Sequence, residues 1–343
     1  MNNMRITLVL LMIVAHAAAQ PMPAEMREAL TVEFHFTPAD IAKVESGRAV
    51  ARIAATGKPD DVRMAGAILV KVSSTAFIKA FRDVEHFQMS KEVVETGRFS
   101  SPPVEADVAK FRFPDLNKAE LTACHPGNCA YKLPAEVMQE LRTKIDWASP
   151  DADDRAEAFV HKLWIARLNE YQRVGDAALA VYYDSKSPYS VADGFHSLVG
   201  KETRLAKLFP ELVRYAVEYP ASRPPNTDDL FYWQEAAFGL KHVVRTEHMI
   251  IQELPAPEGP HYAILTKMLF ATHYFRAALE FKYIHPVLTD SGEPAVYFLA
   301  AQRSYVDGMT GLKGAVLHRI AESRSPATLV ENLQLAKQRL ESR

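Results

Sequence analysis

Six residues in the last third of the chain, Trp233, Glu247, Lys267, His273, Arg303 and Tyr305, carry side chains able to do chemistry or to hold a polar ligand. Glu247, Lys267 and Arg303, together with Arg276, interrupt stretches otherwise built from Met249, Leu265, Leu269, Phe275 and Leu299. A charge on such a stretch, once buried, must meet an opposite charge or a ligand head group, because an unpaired buried ion is costly. A carboxylate, an imidazole and a guanidinium are also what an acid–base or anion-stabilising site requires, so Glu247, His273 and Arg303 are the candidates for a cyclase- or hydrolase-type reaction. The competing expectation is an outward sheet face with ordinary cross-strand ion pairs. Phe231-Tyr-Trp-Gln-Glu235 places Trp233 either as a stacking platform for a ligand or in an aromatic cluster of the core. Arg303, Ser304, Tyr305 and Asp307 make the densest polar cluster near the C-terminal end.

Other chemistry is sparse. The chain has no Gly-x-Ser-x-Gly elbow, no Gly-rich phosphate loop and no His-Glu-x-x-His helix. His242 and His248 share a face if both lie in a strand, but at six residues apart they are separated by roughly 20 Å. Only His248 and His273, on neighbouring strands, could approach one another, and no metal or other cofactor is expected. Cys124-His-Pro-Gly-Asn-Cys129 brackets a turn, and a disulfide is the simplest expectation for a pair in an oxidising compartment. Closing so short a loop contributes about 2 kcal/mol.

The compartment is suggested by the N-terminus. Arg5, the apolar run Ile6–Val14, and Ala17 and Ala19 before Gln20 have the pattern of a secretory signal peptide over residues 1–19. The apolar run falls short of the roughly 20 residues that span a bilayer, and no later window is long and apolar enough. The expectation is an exported protein, periplasmic or extracellular, without a membrane span in the mature chain. With 343 residues, 24% charged and 48% hydrophobic, the chain can bury a sizeable core. A formal net charge of -2 and scattered Lys and Arg give no footprint for nucleic acid.

The elements that must position these residues fall into three stretches. Short helices are predicted at Pro23–Leu30 and Pro38–Val44, then strands at Ala49–Ala54 and Met64–Val72, a helix at Ala76–Val84 and a strand at Lys91–Arg98. Residues from about 117 to 221 read as helical. The predicted helices there include Pro134–Ile145, a long one after Ser149-Pro150, and Ala177–Tyr183, Val191–Leu198 and Leu208–Val217. The long one carries a wide apolar stripe over Ala156–Tyr171 that could instead dock a protein partner. From Leu230 the period becomes two, with strand-like runs at His242–Leu254, His261–Pro286 and Pro294–Val306. A terminal amphipathic helix carrying Leu329, Leu333, Ala336 and Leu340 closes the chain.

Met64-Ala-Gly-Ala-Ile-Leu-Val-Lys-Val followed by Ser-Ser-Thr-Ala-Phe-Ile-Lys-Ala-Phe-Arg-Asp-Val-Glu resembles the opening strand and helix of START-like, helix-grip domains. Arg303-Ser-Tyr-Val-Asp-Gly-Met-Thr-Gly-Leu-Lys-Gly and the terminal helix resemble their ending, in which a C-terminal helix is gripped by long antiparallel strands. The resemblance covers Met64–Phe99 and Leu230–Glu341. It implies an α+β fold with an antiparallel sheet gripping the C-terminal helix and a helical insertion in the middle. It also implies binding of an apolar or amphipathic, lipid-like small molecule, with enzymes such as cyclases as the alternative.

Overall fold

A computed structural model of the chain describes residues 20–113, 116–202, 204–237, 241–308 and 311–342, so the expected signal segment lies outside the described residues. Helix α1 (Ala24–Glu28) continues into a π-helical turn, Ala29–Glu33, and is followed by α2 (Pro38–Glu45). Thr37 and Asp40 cap α2 reciprocally, and Pro38 occupies its first turn, as a helix start there requires. Strands β1 (Val50–Ala54) and β2 (Asp61–Val70) come next, then α3 (Ser74–Phe81), α4 (Val84–Phe87) and β3 (Val93–Arg98). Helices α5 (Lys118–Ala123), α6 (Ala135–Lys144) and α7 (Ala152–Val174) open the helical middle. A small hairpin of β4 (Val181–Tyr182) and β5 (Tyr189–Ser190) precedes α8 (Val191–Lys201), α9 (Arg204–Leu208) and α10 (Pro210–Glu218). The remainder is β6 (Thr227–Ala236), β7 (Val243–Leu254), β8 (His261–Ala271), β9 (Phe275–Leu288), β10 (Pro294–Val306) and α11 (Gly311–Glu341).

The fold is α+β. Eight strands form one antiparallel sheet in the order β1-β2-β10-β9-β8-β7-β6-β3, so the last strand pairs with the second. Because side chains alternate along a strand, each strand feeds two cores. Val296 and Phe298 of β10 face α3, α4 and α11 together with Ile68, Ile264 and Ile284. Tyr297, Leu299 and Ala301 face the opposite way, into a core with Leu168 and Tyr171 of α7 and Phe195 of α8. The sheet is therefore covered on both sides, and the helical middle, inserted between β3 and β6, is the second cover.

Helix α11 lies on the first side. Leu333 packs on Gly66 of β2, where an added Cβ would stand 2.8 Å from Leu333 Cδ1, and Lys337 Nζ donates to the Leu69 carbonyl at 3.1 Å. On the same helix Thr328 Oγ1 approaches Glu92, which leads into β3, at 3.5 Å. The helix thus touches β2, near one end of the strand order, and the entry to β3, at the other end.

Three expectations change. The long run His261–Pro286 is two strands, β8 and β9, joined by a tight turn in which Tyr274 adopts φ +58°, so His273 sits at the hairpin tip and not within a strand. The expected helix Ala177–Tyr183 is a 3-10 turn at Gly175–Ala178 followed by β4, since Gly175 ends α7. Of the apolar stripe of α7, Ala156, Leu168 and Tyr171 are buried and Phe159, Val160 and Leu163 half-buried, so most of it packs inward and little is left as an open apolar face. Cys124 and Cys129 are joined in the expected disulfide. Among the described residues, no helix is long and apolar enough to cross a membrane.

Gly175 has φ +64°, and a Cβ there would lie 1.8 Å from the Tyr219 carbonyl oxygen. Gly175→Ala is expected to cost more than the 1 kcal/mol or so of an unfavourable φ alone, because backbone must also move. Urea denaturation should show a lower midpoint at unchanged slope; an unaltered midpoint would mean that α7 and α10 do not meet as described.

Candidate functional site

Buried polar groups separate the two faces of the sheet by whether they are satisfied. On the face under the helical middle most are, although Glu157 Oε1 and His161 Nε2 of α7 have no hydrogen-bond partner among the described residues. Lys267, wholly buried on β8, contacts Asp176 just beyond α7, donates to the Ala216 carbonyl at 3.2 Å, and lies 4.0 Å over the Phe195 ring. Burial lowers the Lys267 ammonium to about 8 against the pull of Asp176, so it keeps its proton at neutral pH. On the next strand His248 lies between Tyr171 and Asp229, with Nδ1 3.0 Å from the Tyr171 hydroxyl and Nε2 2.9 Å from Asp229 Oδ1. Burial lowers the His248 imidazole, and Asp229, despite its own burial, is held low by His248 and Tyr215. A neutral ring donating to Asp229 and accepting from Tyr171 uses both nitrogens.

Arg303 is held as completely. Its Nε and Nη2 donate to Asp61 at 2.8 and 2.9 Å, and Nη1 reaches Glu202, at the end of α8, at 3.3 Å. Arg63 donates to the same Glu202 at 2.7 and 2.8 Å and to Glu33 at 2.5 Å. Burial alone would raise Asp61, but Arg303 and Lys201 keep it below the usual carboxylate range. Tyr305 is bonded to Lys201 at 2.5 Å and to Ser197 at 2.9 Å. Trp233 sits beneath α7 in an aromatic cluster with Phe111, at 4.5 Å between ring centres, and Trp164, at 6.0 Å. Its Nε1 donates to the Asp107 carbonyl at 3.3 Å. Lys267, Arg303, Tyr305 and Trp233 thus join the sheet to its helical cover.

His273 lies apart from these, its ring tilted against Tyr131 at 4.9 Å and bonded to the Thr272 hydroxyl at 3.0 Å. It lines a mostly apolar pocket with Phe113, Leu121, Tyr131, Leu133 and Phe270 whose free space is about 40 Å³, enough for a water or two but not for an acyl chain. Glu247, His273 and Arg303 do not form one constellation: Glu247 and Arg303 are on opposite faces, and His273 is in a hairpin turn. His248 and His273 do not meet either, since His248 pairs across the strands with Lys267.

Glu247 is on the face covered by α3, α4 and α11, and there the satisfaction fails. The strand register places polar side chains of five strands on this face as a row with a step between β7 and β8, where Glu247 is opposite Met268 and Thr266 opposite Met249. Gln234 is opposite Arg245 and Tyr232 opposite Glu247 on β6 and β7, Thr266 of β8 is opposite Glu280 of β9, and Glu280 is opposite Gln302 of β10. Glu247 is 3% exposed, and among the described residues its carboxylate has one partner, Arg245 Nε at 3.2 Å. Burial, with the charge of Glu280 adding to it, raises Glu247 to about 7 against Arg245 and Lys282. Glu280, by contrast, is held low against its own burial by Lys282, its ion-pair partner, and by Arg245. The Thr266 hydroxyl, 1% exposed, has no hydrogen-bond partner among the described residues. Arg245 is shared with the Gln234 amide, whose oxygen, facing the guanidinium, accepts from Nε at 3.1 Å.

Of the six residues singled out by sequence, only Glu247 belongs to this row. Thr266, Glu280, Arg245, Gln234 and Tyr232 were not foreseen. The signal available for them was their parity with Glu247 along each strand, but converting parity into proximity needs the register. No protein-family model matches the chain, and no curated protein does.

Two measurements test these assignments. Burial raises the Glu247 carboxyl from its ordinary 4.5 to about 7 in the folded chain, so its proton is held more tightly in the native state: stability falls as pH rises from 4.5 to 7 and is lower by about 3 kcal/mol above that. Glu247→Gln is expected to remove this slope and to raise the denaturation midpoint at pH 8; an identical pH profile for both proteins would place Glu247 in contact with water. Asp176→Asn leaves the Lys267 charge buried without its counter-ion and is expected to cost about 3–5 kcal/mol. Adding Lys267→Met should recover much of that loss in a double-mutant cycle, whereas additive losses would mean that the two residues do not interact.

Proposed function

We propose that the protein is an exported carrier that holds one amphipathic small molecule between the sheet and α11, in a helix-grip arrangement. The observation that carries it is the row of buried, incompletely satisfied polar groups on the gripped face, Thr266 and Glu247 above all. Native proteins satisfy their buried polar atoms, and each exception calls for a reason. A ligand head group that accepts from or donates to Thr266, Glu247 and Arg245 is such a reason, with the apolar residues Met249, Ile264 and Ile284 on the same face to meet a tail. The element order supports the helix-grip assignment: an opening strand β2, the short helices α3 and α4, a run of long antiparallel strands returning to β2, and a last long helix.

Admission requires α11 to give way, and the helix contains Pro326. A proline inside a helix removes one backbone hydrogen bond and bends the axis, which makes that turn the natural place for the helix to lift. Export is supported by the leader-like N-terminal sequence and by the disulfide. Hydrolysis or cyclisation between the same sheet face and α11 is the second reading, favoured by the split between a carboxyl group near 7 and an ionised one on the same face, the division of labour found in acid–base pairs.

The test is native mass spectrometry of the purified protein with organic extraction, followed by titration with a panel of fatty acids, lysolipids and sterols. One bound amphiphile per chain is expected, with affinity reduced about tenfold or more in the Thr266→Val, Glu247→Leu double variant, since its hydrogen bonds contribute 1 kcal/mol or more each. Absence of any binding across the panel would overturn the carrier reading. Turnover of a bound amphiphile that Glu247→Gln abolishes while binding survives would establish the second reading in its place.

A further inference from the structure

We infer that Glu258, His261 and His285 form a binding site for one divalent transition-metal ion, separate from the polar row. His261 opens β8 and His285 is near the end of β9; since Tyr262 is opposite Ile284, the two histidines stand across from each other on neighbouring strands. Their ring centres are 4.2 Å apart. Glu258, in the turn between β7 and β8, places Oε1 2.9 Å from His261 Nε2. One ligand atom from each of the three residues lies within 4.8 Å of the others, so small side-chain shifts bring all three onto one ion at the 2.0–2.2 Å typical of zinc with nitrogen and carboxylate ligands.

The surroundings are those of a metal site. The Tyr283 hydroxyl is 2.8 Å from His261 Nδ1 and 3.1 Å from His285 Nδ1, so one phenol occupies a nitrogen of both rings and orients both. Such outer hydrogen bonds fix the tautomer and direction of metal-binding histidines. Tyr283 is itself held, packed edge-on against Phe209 at 5.0 Å. Glu25 of α1 stands 3.9 Å from His285 Nδ1, on the side of the ring that Tyr283 holds and not among the three clustered ligand atoms. Histidine and carboxylate donors in this number suit zinc, or iron and manganese of the same charge, and do not suit calcium, which takes oxygen ligands. A bound ion would tie the β7–β8 turn to the β8–β9 strand pair. Glu258 is exposed and both histidines are near the surface, so the ion has a path in from solvent.

The site is on the face of the sheet opposite Glu247, since His261 and His285 have the parity of Lys267 and Phe281. No sequence motif announces it, because the histidines are 24 residues apart and meet only through the β8–β9 register.

The experiment uses the full chain, stripped with a chelator and titrated with Zn²⁺ by calorimetry, with Co²⁺ absorption to report the ligand set and Ca²⁺ as control. One equivalent of Zn²⁺ is expected, a Co²⁺ spectrum of nitrogen and oxygen ligation, and a raised unfolding midpoint. His261→Ala and His285→Ala should each abolish this binding, and Glu258→Gln and Tyr283→Phe should weaken it by about ten- to a hundredfold. His248→Ala and His273→Ala should leave it intact. Absence of Zn²⁺ binding by the parent protein, or binding that persists unchanged in both His285→Ala and Glu258→Gln, would overturn the assignment. Metal-free unfolding midpoints near that of the parent distinguish loss of a ligand from loss of the fold.

Discussion

Lys267 projects an ammonium from the centre of an apolar sheet face, and the rest of the fold has to answer it. Moved into the interior alone, such a group costs several kcal/mol even after relaxation. Asp176 supplies the counter-charge from the end of α7, where Gly175 turns the chain so that the carboxylate arrives over β8. The Ala216 carbonyl and the ring of Phe195 complete the coat, so three parts of the helical middle converge on one nitrogen. Arg303 does the same further along, drawing in Glu202 at the end of α8. Cations on the strands and carboxylates on the helical segments fix where the insertion docks, because a shift of one residue in any strand would turn its charge to the other face. The helical middle is therefore a cover matched to the sheet and not an appendage.

The same rule makes the opposite face unusual. A protein that neutralises Lys267, Arg303 and His248 so completely has the means to do so for Glu247 and Thr266, and among the described residues it does not. Placing a carboxyl group with one 3.2 Å partner under a helix sacrifices stability at neutral pH. Such concessions concentrate where a structure does something other than fold. Both faces carry a core, but one joins the sheet to the helical middle through paired charges while on the other Glu247 and Thr266 are under-satisfied among the described residues.

Much of this architecture was legible in the sequence. Period two announced the long strands, period 3.6 and Ser149-Pro150 announced α7, and the helix predicted at Pro38–Val44 is α2, because each signal acts within one turn or one pleat. What was not legible depends on contacts between distant segments. Nothing local says that Lys267 meets Asp176, 91 residues earlier, and so the buried cation read as a possible ligand anchor. The break at Thr272–Tyr274 escaped notice because apolar alternation continues through it and the reversal is made by a single residue at positive φ. Trp233 had the right chemistry for stacking a ligand, but which neighbours it stacks on was set by the docking of α7.

The charge on the polar row also constrains what could answer its demand. Arg245 and Lys282 are two cations, Glu280 is one anion held ionised, and Glu247 changes its charge near neutrality. With Glu247 protonated the row carries an excess of one positive charge, and its carboxyl offers a hydrogen bond; with Glu247 ionised the row is balanced. A cationic head group would face Arg245 and Lys282 without relief. An anionic head group would be drawn to Arg245, would find Thr266 free to donate, and would itself favour the protonated form of Glu247, since a second negative charge beside it raises the cost of ionising. Ligand binding and protonation of Glu247 are then coupled, and the coupling must act in both directions. An amphiphile with an ionised carboxylate head would be held more tightly as pH falls through 7, where Glu247 takes up the proton that its burial already favours.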